Sequence, residues 1–145
     1  MNIKMPNKVC YVEGVFDLFH IGHLRIIKRS SEIFGKVVVG VHSDETVLDY
    51  KDEPIIPYRH RAEIIESCKF VDKVIEAPLL GKYGVSSLKF LNENNLDFLV
   101  HGKTNCDFFY DQYFELIENN RIFLLDETPD YHTKDLRKKC QINIR

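Results

Sequence analysis

The chain has 145 residues, 44% hydrophobic and 29% charged, enough apolar material for one ordinary globular domain over 1–145 and too little chain for two. Its 20 Lys and Arg are balanced by 22 Asp and Glu, for a formal net charge of -2 with no long block of one sign, which argues against nucleic acid as a partner. Four scattered cysteines, no leading apolar signal segment and no membrane-length or membrane-binding run make a reduced, cytoplasmic setting the expectation.

Apolar runs alternate with helical patterns, the order of a parallel sheet covered on both faces. The first strand is predicted at 9–12. A helix follows in which Leu24, Ile27, Ser31 and Phe34 share a face, with Gly35 as its end. Strand 36–42 comes next, and Pro57 then opens a helix that turns Ala62, Ile65 and Cys68 to the core. Strand 73–76, a helix around 87–94, strand 97–101, a helix over 111–118, strand 121–125 and a short helix after Thr133 complete the chain. The strands are continuously apolar rather than alternating, as strands buried on both sides are. The fold class is α/β: a Rossmann-like single domain with a five-stranded parallel sheet and helices on both faces. Ligands of such sheets bind beyond the carboxyl ends of the strands, near the switch point in strand order.

The richest stretch is 11–23, Tyr-Val-Glu-Gly-Val-Phe-Asp-Leu-Phe-His-Ile-Gly-His. It ends a strand, turns through Gly14, and delivers His20 and His23 to a helix start, where unpaired N–H groups and the positive end of the helix dipole attract phosphate. Gly22 lets another group approach the backbone. Asp17 reads either as the polar cap of the turn or as a contact to the bound anion. A zinc site would need two more ligands at short spacing, and Cys10, Cys68, Cys106 and Cys140 are too dispersed to supply them.

The string from Gly14 to His23 resembles the signature of the cytidylyltransferase branch of the HxGH nucleotidyltransferases, and is most similar to the choline-phosphate and ethanolamine-phosphate enzymes. The similarity continues through residues 39–45, Lys51, Arg61, residues 70–74 and residues 97–102. The resemblance implies an enzyme of phospholipid biosynthesis that transfers CMP from CTP to a phosphomonoester by direct in-line attack, releasing pyrophosphate. Such chemistry needs alignment of two anions and charge stabilisation rather than a serine or cysteine nucleophile.

By the same resemblance His20, His23 and Lys51 are the catalytic residues. Gly14, Val15, Phe16, Asp17, Gly22, Arg61, His101, Gly102, Thr128 and Thr133 hold the nucleotide, Mg2+ rides on its phosphates, and a homodimer forms. Glu13 stands where the choline and ethanolamine enzymes carry a carboxylate facing the substrate ammonium. Tyr113 matches the tyrosine of a family Asp-x-Tyr element, and Tyr110 is a second candidate for that nest, with Lys51 between the two substrates; Phe108, Phe109 and Phe114 are assigned to packing. The other reading of Arg61 and Asp72 is a surface ion pair of little worth.

Departures from the pattern are concentrated near the end. Where the family reads RTxGIST the chain has Glu127-Thr-Pro-Asp-Tyr-His-Thr133, so His132, Lys134 and Arg137 are the candidates for the missing positive charge. Lys103 also stands where an acid is usual. Glycerol 3-phosphate as acceptor, ATP as donor, and a nucleotide-binding module without turnover are the alternatives.

Overall fold

The computed structural model describes residues 2–48, 52–78, 86–103, 109–126 and 132–142. Its elements are β1 (Met5–Gly14), α1 (Ile21–Ile33), β2 (Phe34–His42), α2 (Asp44–Leu48), α3 (Tyr58–Glu66), β3 (Lys73–Ala77), α4 (Leu88–Glu93), β4 (Phe98–Gly102), α5 (Phe109–Glu118), β5 (Ile122–Leu125) and α6 (Thr133–Ile142). The five strands form one parallel sheet in the order β3-β2-β1-β4-β5. The chain winds one way through β1, β2 and β3 and then crosses back to β4, so the switch point lies between β1 and β4.

Both faces of the sheet are covered, as the unbroken apolar strands anticipate. Cys10 and Val12 of β1, with Val37, Val39 and Val41 of β2, pack with Ile27 of α1 and Ile65 of α3. The alternate residues Tyr11, Val38 and Leu99 pack with Leu91 of α4 and Leu116 of α5 on the opposite face. At about 25 cal/mol per Å2 of apolar surface, each fully buried Val, Leu or Ile contributes roughly 1.5–3 kcal/mol, which is what keeps the strand ends in fixed register. Tyr11 fits only because β2 offers no side chain at Gly40, where a Cβ would lie 2.0 Å from its hydroxyl oxygen.

Three local expectations are corrected. Helix α1 ends at Ile33, and Gly35 already lies in β2; a Cβ there would sit 1.8 Å from the Pro6 carbonyl oxygen, so glycine is needed for strand contact and not for a helix cap. β1 begins at Met5 because its first residues pair with β2 across an irregularity between Met5 and Val9. In α1 the buried serine is Ser30, whose hydroxyl donates to the Ile26 carbonyl, whereas Ser31 bonds Lys28 at the surface.

Candidate active site

The junction between β1 and α1 is built on strained backbone. Phe16 and Leu18 both have positive φ, 55° and 48°, a region that non-glycine residues rarely enter and that tends to mark functional turns. His20 then serves as the N-cap of α1, with extended backbone. Its Nδ1 accepts the Gly22 N–H at 3.0 Å, and His23 Nδ1 accepts the His20 N–H at 3.3 Å. This is a capping box in which imidazoles replace the usual Ser or Asp and Glu.

That cap decides the tautomers. A ring nitrogen that accepts an N–H carries no proton, so in both neutral histidines the proton resides on Nε2. Burial, and then repulsion from His132, lower the pKa of His20, which favours the neutral ring. The two rings stack at 3.8 Å between centroids, with Phe19 stacked on His23 and Phe16 edge-on to it. No acidic residue occupies the first turn of α1 to offset the helix dipole.

These groups face a cavity of about 700 Å3 beyond the carboxyl ends of β1 and β4. Basic side chains from two helices line it: Arg25 and Arg29 from α1, Lys134 and Arg137 from α6, with His132 just before α6. Thr133 Oγ1 lies 3.2 Å from His20 Nε2 and 3.3 Å from the Asp17 carbonyl oxygen, tying α6 to the turn. Asp17 is the hub of that turn. Its carboxylate accepts the N–H groups of Ile55 and Ile56 and a bond from Arg137. Burial alone would raise its pKa, yet these bonds outweigh burial and hold it below the ordinary aspartate value.

At the β1 end of the same cavity is a carboxylate with neutral partners. Glu13 accepts the Ser86 hydroxyl at 2.5 Å and the Ser86 N–H at 3.2 Å, with Tyr11 contributing a further bond. Burial pushes its pKa up to about 7 against these stabilising bonds. A carboxylate that is half-buried, lines a cavity and is bonded by uncharged donors is matched to a positively charged guest. His101 and Gly102, at the end of β4, complete this side.

A family model described as cytidylyltransferase-like matches residues 11–141, from the middle of β1 into α6. The chain belongs to the cytidylyltransferase-like family. It is 36% identical over 100 residues, 69% of its length, to an ethanolamine-phosphate cytidylyltransferase of Dictyostelium discoideum. It is 38% identical over 94 residues, 63% of its length, to a probable choline-phosphate cytidylyltransferase of Schizosaccharomyces pombe. These alignments cover 26% and 25% of the two relatives, so the chain spans about a quarter of their length. A crystal structure of a lipopolysaccharide core biosynthesis protein from Thermoplasma volcanium shares the fold, with a TM-score of 0.67 at 22% identity over 83% of this chain and 98% of that one.

Within this cytidylyltransferase-like domain the cavity gathers Glu13, Gly14, Val15, Phe16, Asp17, His20, Gly22, His23, His101, Gly102 and Thr133, all singled out in the sequence. Lys51 and Thr128, like Glu127, lie outside the described residues. Other expectations need correction. Arg61 does not line the cavity. It is fully buried, and its guanidinium donates to the carbonyls of Ile56, Val15 and His42 and to Asp44. Nor is it half of a surface pair with Asp72, which accepts the Val37 N–H instead. Tyr110 lies on the exposed face of α5, donating to Glu118 and touching Phe114, which is itself exposed rather than packed in the core. Tyr113 is buried against the rings of His101 and Phe109, one layer behind the cavity wall.

Sequence reasoning missed Arg25, Arg29 and Ser86. The two arginines sit at i+2 and i+6 from His23, so one turn of helical spacing was the available signal. Ser86 reaches Glu13 from 73 residues away, and nothing local announces it. Among the described residues no helix is long and apolar enough to cross a membrane.

Proposed function

We propose that the domain transfers CMP from CTP to a phosphomonoester bearing an amine, phosphoethanolamine or phosphocholine, as the named functions of its relatives suggest. The observation that carries this reading is the lining of one cavity, where two Nε2–H imidazoles and basic helix side chains meet the half-buried Glu13 carboxylate. In this reading a phosphate oxygen of the acceptor attacks the α-phosphorus of CTP, and the bond to the β-phosphate breaks as pyrophosphate leaves with the electron pair. His20 and His23 donate to the phosphate oxygens on which charge builds, and Lys134 and His132 stand in for the family arginine. Lys51 belongs between the two substrates.

Mg2+ fits as an ion carried by the nucleotide. No group of three His, Cys, Asp or Glu suited to a metal occurs among the described residues, and Mg2+ is commonly bound through substrate phosphates and water rather than a protein cage. When bound, it eases the departure of pyrophosphate by neutralising charge. A homodimer, from family resemblance, and a cytoplasmic site of action, from the dispersed cysteines, complete the proposal.

Pyrophosphate release, measured with CTP and ATP against phosphoethanolamine, phosphocholine and glycerol 3-phosphate, tests the reading. The amine substrates with CTP should be used far better than glycerol 3-phosphate. Equal use of glycerol 3-phosphate would remove the ammonium site, and binding of CTP without turnover on any acceptor would leave a nucleotide-binding module.

The Glu13 carboxyl gives this a pH signature. With its folded value near 7, the group is largely neutral at pH 6 and ionised at pH 8, so KM for the amine substrate should fall across that interval. Glu13→Gln should raise KM at pH 8, flatten its pH dependence and leave CTP binding almost unchanged. Stability moves the other way. A carboxyl with a raised folded pKa stabilises the fold fully below the unfolded value of about 4.5 and loses that contribution as pH rises to about 7. Glu13→Gln should therefore gain on the order of 2 kcal/mol over the parent at pH 8, shrinking toward pH 4, as read from denaturation midpoints. A KM profile identical in parent and variant would detach Glu13 from the substrate.

A further inference from the structure

Over residues 133–141 helix α6 has no fully buried side chain: Thr133, Leu136 and Arg137 are half-buried and the others are exposed. Apolar burial therefore contributes little to holding a ten-residue helix that is marginal by itself. Polar contacts hold it instead. Thr133 and Arg137 are one turn apart on the same face, and both reach the β1–α1 turn. Arg137 Nη2 donates to Asp17 Oδ2 at 2.7 Å and to the Glu53 carbonyl oxygen at 3.0 Å. The Asp17 side chain is only 4% exposed, and its carboxylate also takes the Ile55 and Ile56 N–H groups at 2.8 and 2.9 Å. A shielded carboxylate bonded by a guanidinium and two amides forms charge-assisted bonds, the strong kind.

One carboxylate thus joins three segments: the turn that carries His20, the stretch leading into α3, and the last helix. We infer that Arg137 is a positioning residue, which by clasping Asp17 docks α6 beside the cavity and sets His132, Thr133 and Lys134 against the phosphates of the bound nucleotide. The inference rests on the nucleotide-transfer reading above. Arg137 acts here through α6 and not by touching the reacting atoms. The same contact spends one of the cavity's basic groups on an internal partner, leaving Lys134 and His132 to meet the anion.

Hydrogen exchange of the α6 amides in the nucleotide-free full chain, followed by calorimetric titration with CTP, tests this. Arg137→Ala should speed exchange in α6 by about tenfold or more with β1 and β2 unchanged, and Arg137→Lys should recover part of the protection. CTP affinity should fall about tenfold in Arg137→Ala. Lys134→Ala should weaken CTP in the parent and have little further effect in the Arg137→Ala background, since a displaced helix no longer presents that lysine. Unchanged exchange in Arg137→Ala overturns the docking role. Faster exchange with unaltered CTP affinity, or fully additive losses in the double variant, overturns the positioning role. A parent chain that binds no CTP defeats the nucleotide reading and the positioning role together, while the exchange data still decide whether Arg137 docks α6.

Discussion

His23→Ala should lower turnover on the order of 10²-fold or more, with a smaller change in CTP affinity. The His23 ring is held by its Nδ1 bond to the His20 N–H, by the stacked His20 ring and by Phe16 and Phe19, so its Nε2–H is aimed before any substrate arrives. A donor that needs no reorganisation stabilises the transition state more than the ground state. The same side chain also caps α1, and losing a cap costs about 1 kcal/mol of stability. Two variants separate these roles. His23→Asn can place an oxygen where Nδ1 lies and keep the cap, and should remain as slow as alanine. His23→Gln can place an N–H near Nε2, and should recover part of the rate. Acid removes the capping role of His20, because a doubly protonated ring keeps its Nε2–H but cannot accept the Gly22 N–H. The folded pKa of His20 is depressed, so its contribution is complete above the ordinary histidine value of about 6.5 and is lost as pH falls below it. A His23→Ala protein with near-parental turnover, destabilised alone, would reduce the imidazole to a helix cap.

The strands and the turn between β1 and α1 were legible because their signals are local. Unbroken Val-rich runs mark strands covered on both faces, and the two histidines after a glycine turn mark a helix start whichever family owns them. What stayed hidden depends on distance or on company. β1 extends back to Met5 because β2 offers it a partner, although Pro6 and Lys8 look like loop. The five-residue helix α2 is too short to show periodicity, and it matters because Asp44 caps the entry to α3 and pairs with Arg61. Tyr113 was assigned to the right region but the wrong layer, since helical spacing tells which residues share a face and not how deep that face lies. Ser86 had no signal at all, and Arg61 had none for its buried place. An arginine reads as surface from composition, and only the meeting of four chain segments makes it core.

Arg61→Met should therefore destabilise the domain by about 3–5 kcal/mol, as for other broken buried charge networks. The guanidinium is fully buried and makes four bonds of 2.6–2.9 Å, three of them to backbone carbonyls. Removing it leaves the carbonyls of Val15, His42 and Ile56 without this donor, the His42 carbonyl in a fully buried place where the desolvation penalty is full. The Asp44 side chain is 43% exposed, so water can rehydrate the carboxylate, and most of the cost falls on the carbonyls. Lysine cannot substitute, because one ammonium cannot span the directions that Nε, Nη1 and Nη2 cover. Denaturant midpoints of Arg61→Met and Arg61→Lys, measured beside CTP affinity, distinguish a strut from a ligand contact. A strut loses stability first. Its loss also loosens Val15 in the turn that aims His20 and His23, so nucleotide affinity should fall mainly where the fold is already weakened, and recover in stabilising osmolyte. An Arg61→Lys protein as stable as the parent yet deficient in CTP binding would put Arg61 on the nucleotide after all, in a conformation that leaves its buried carbonyl partners.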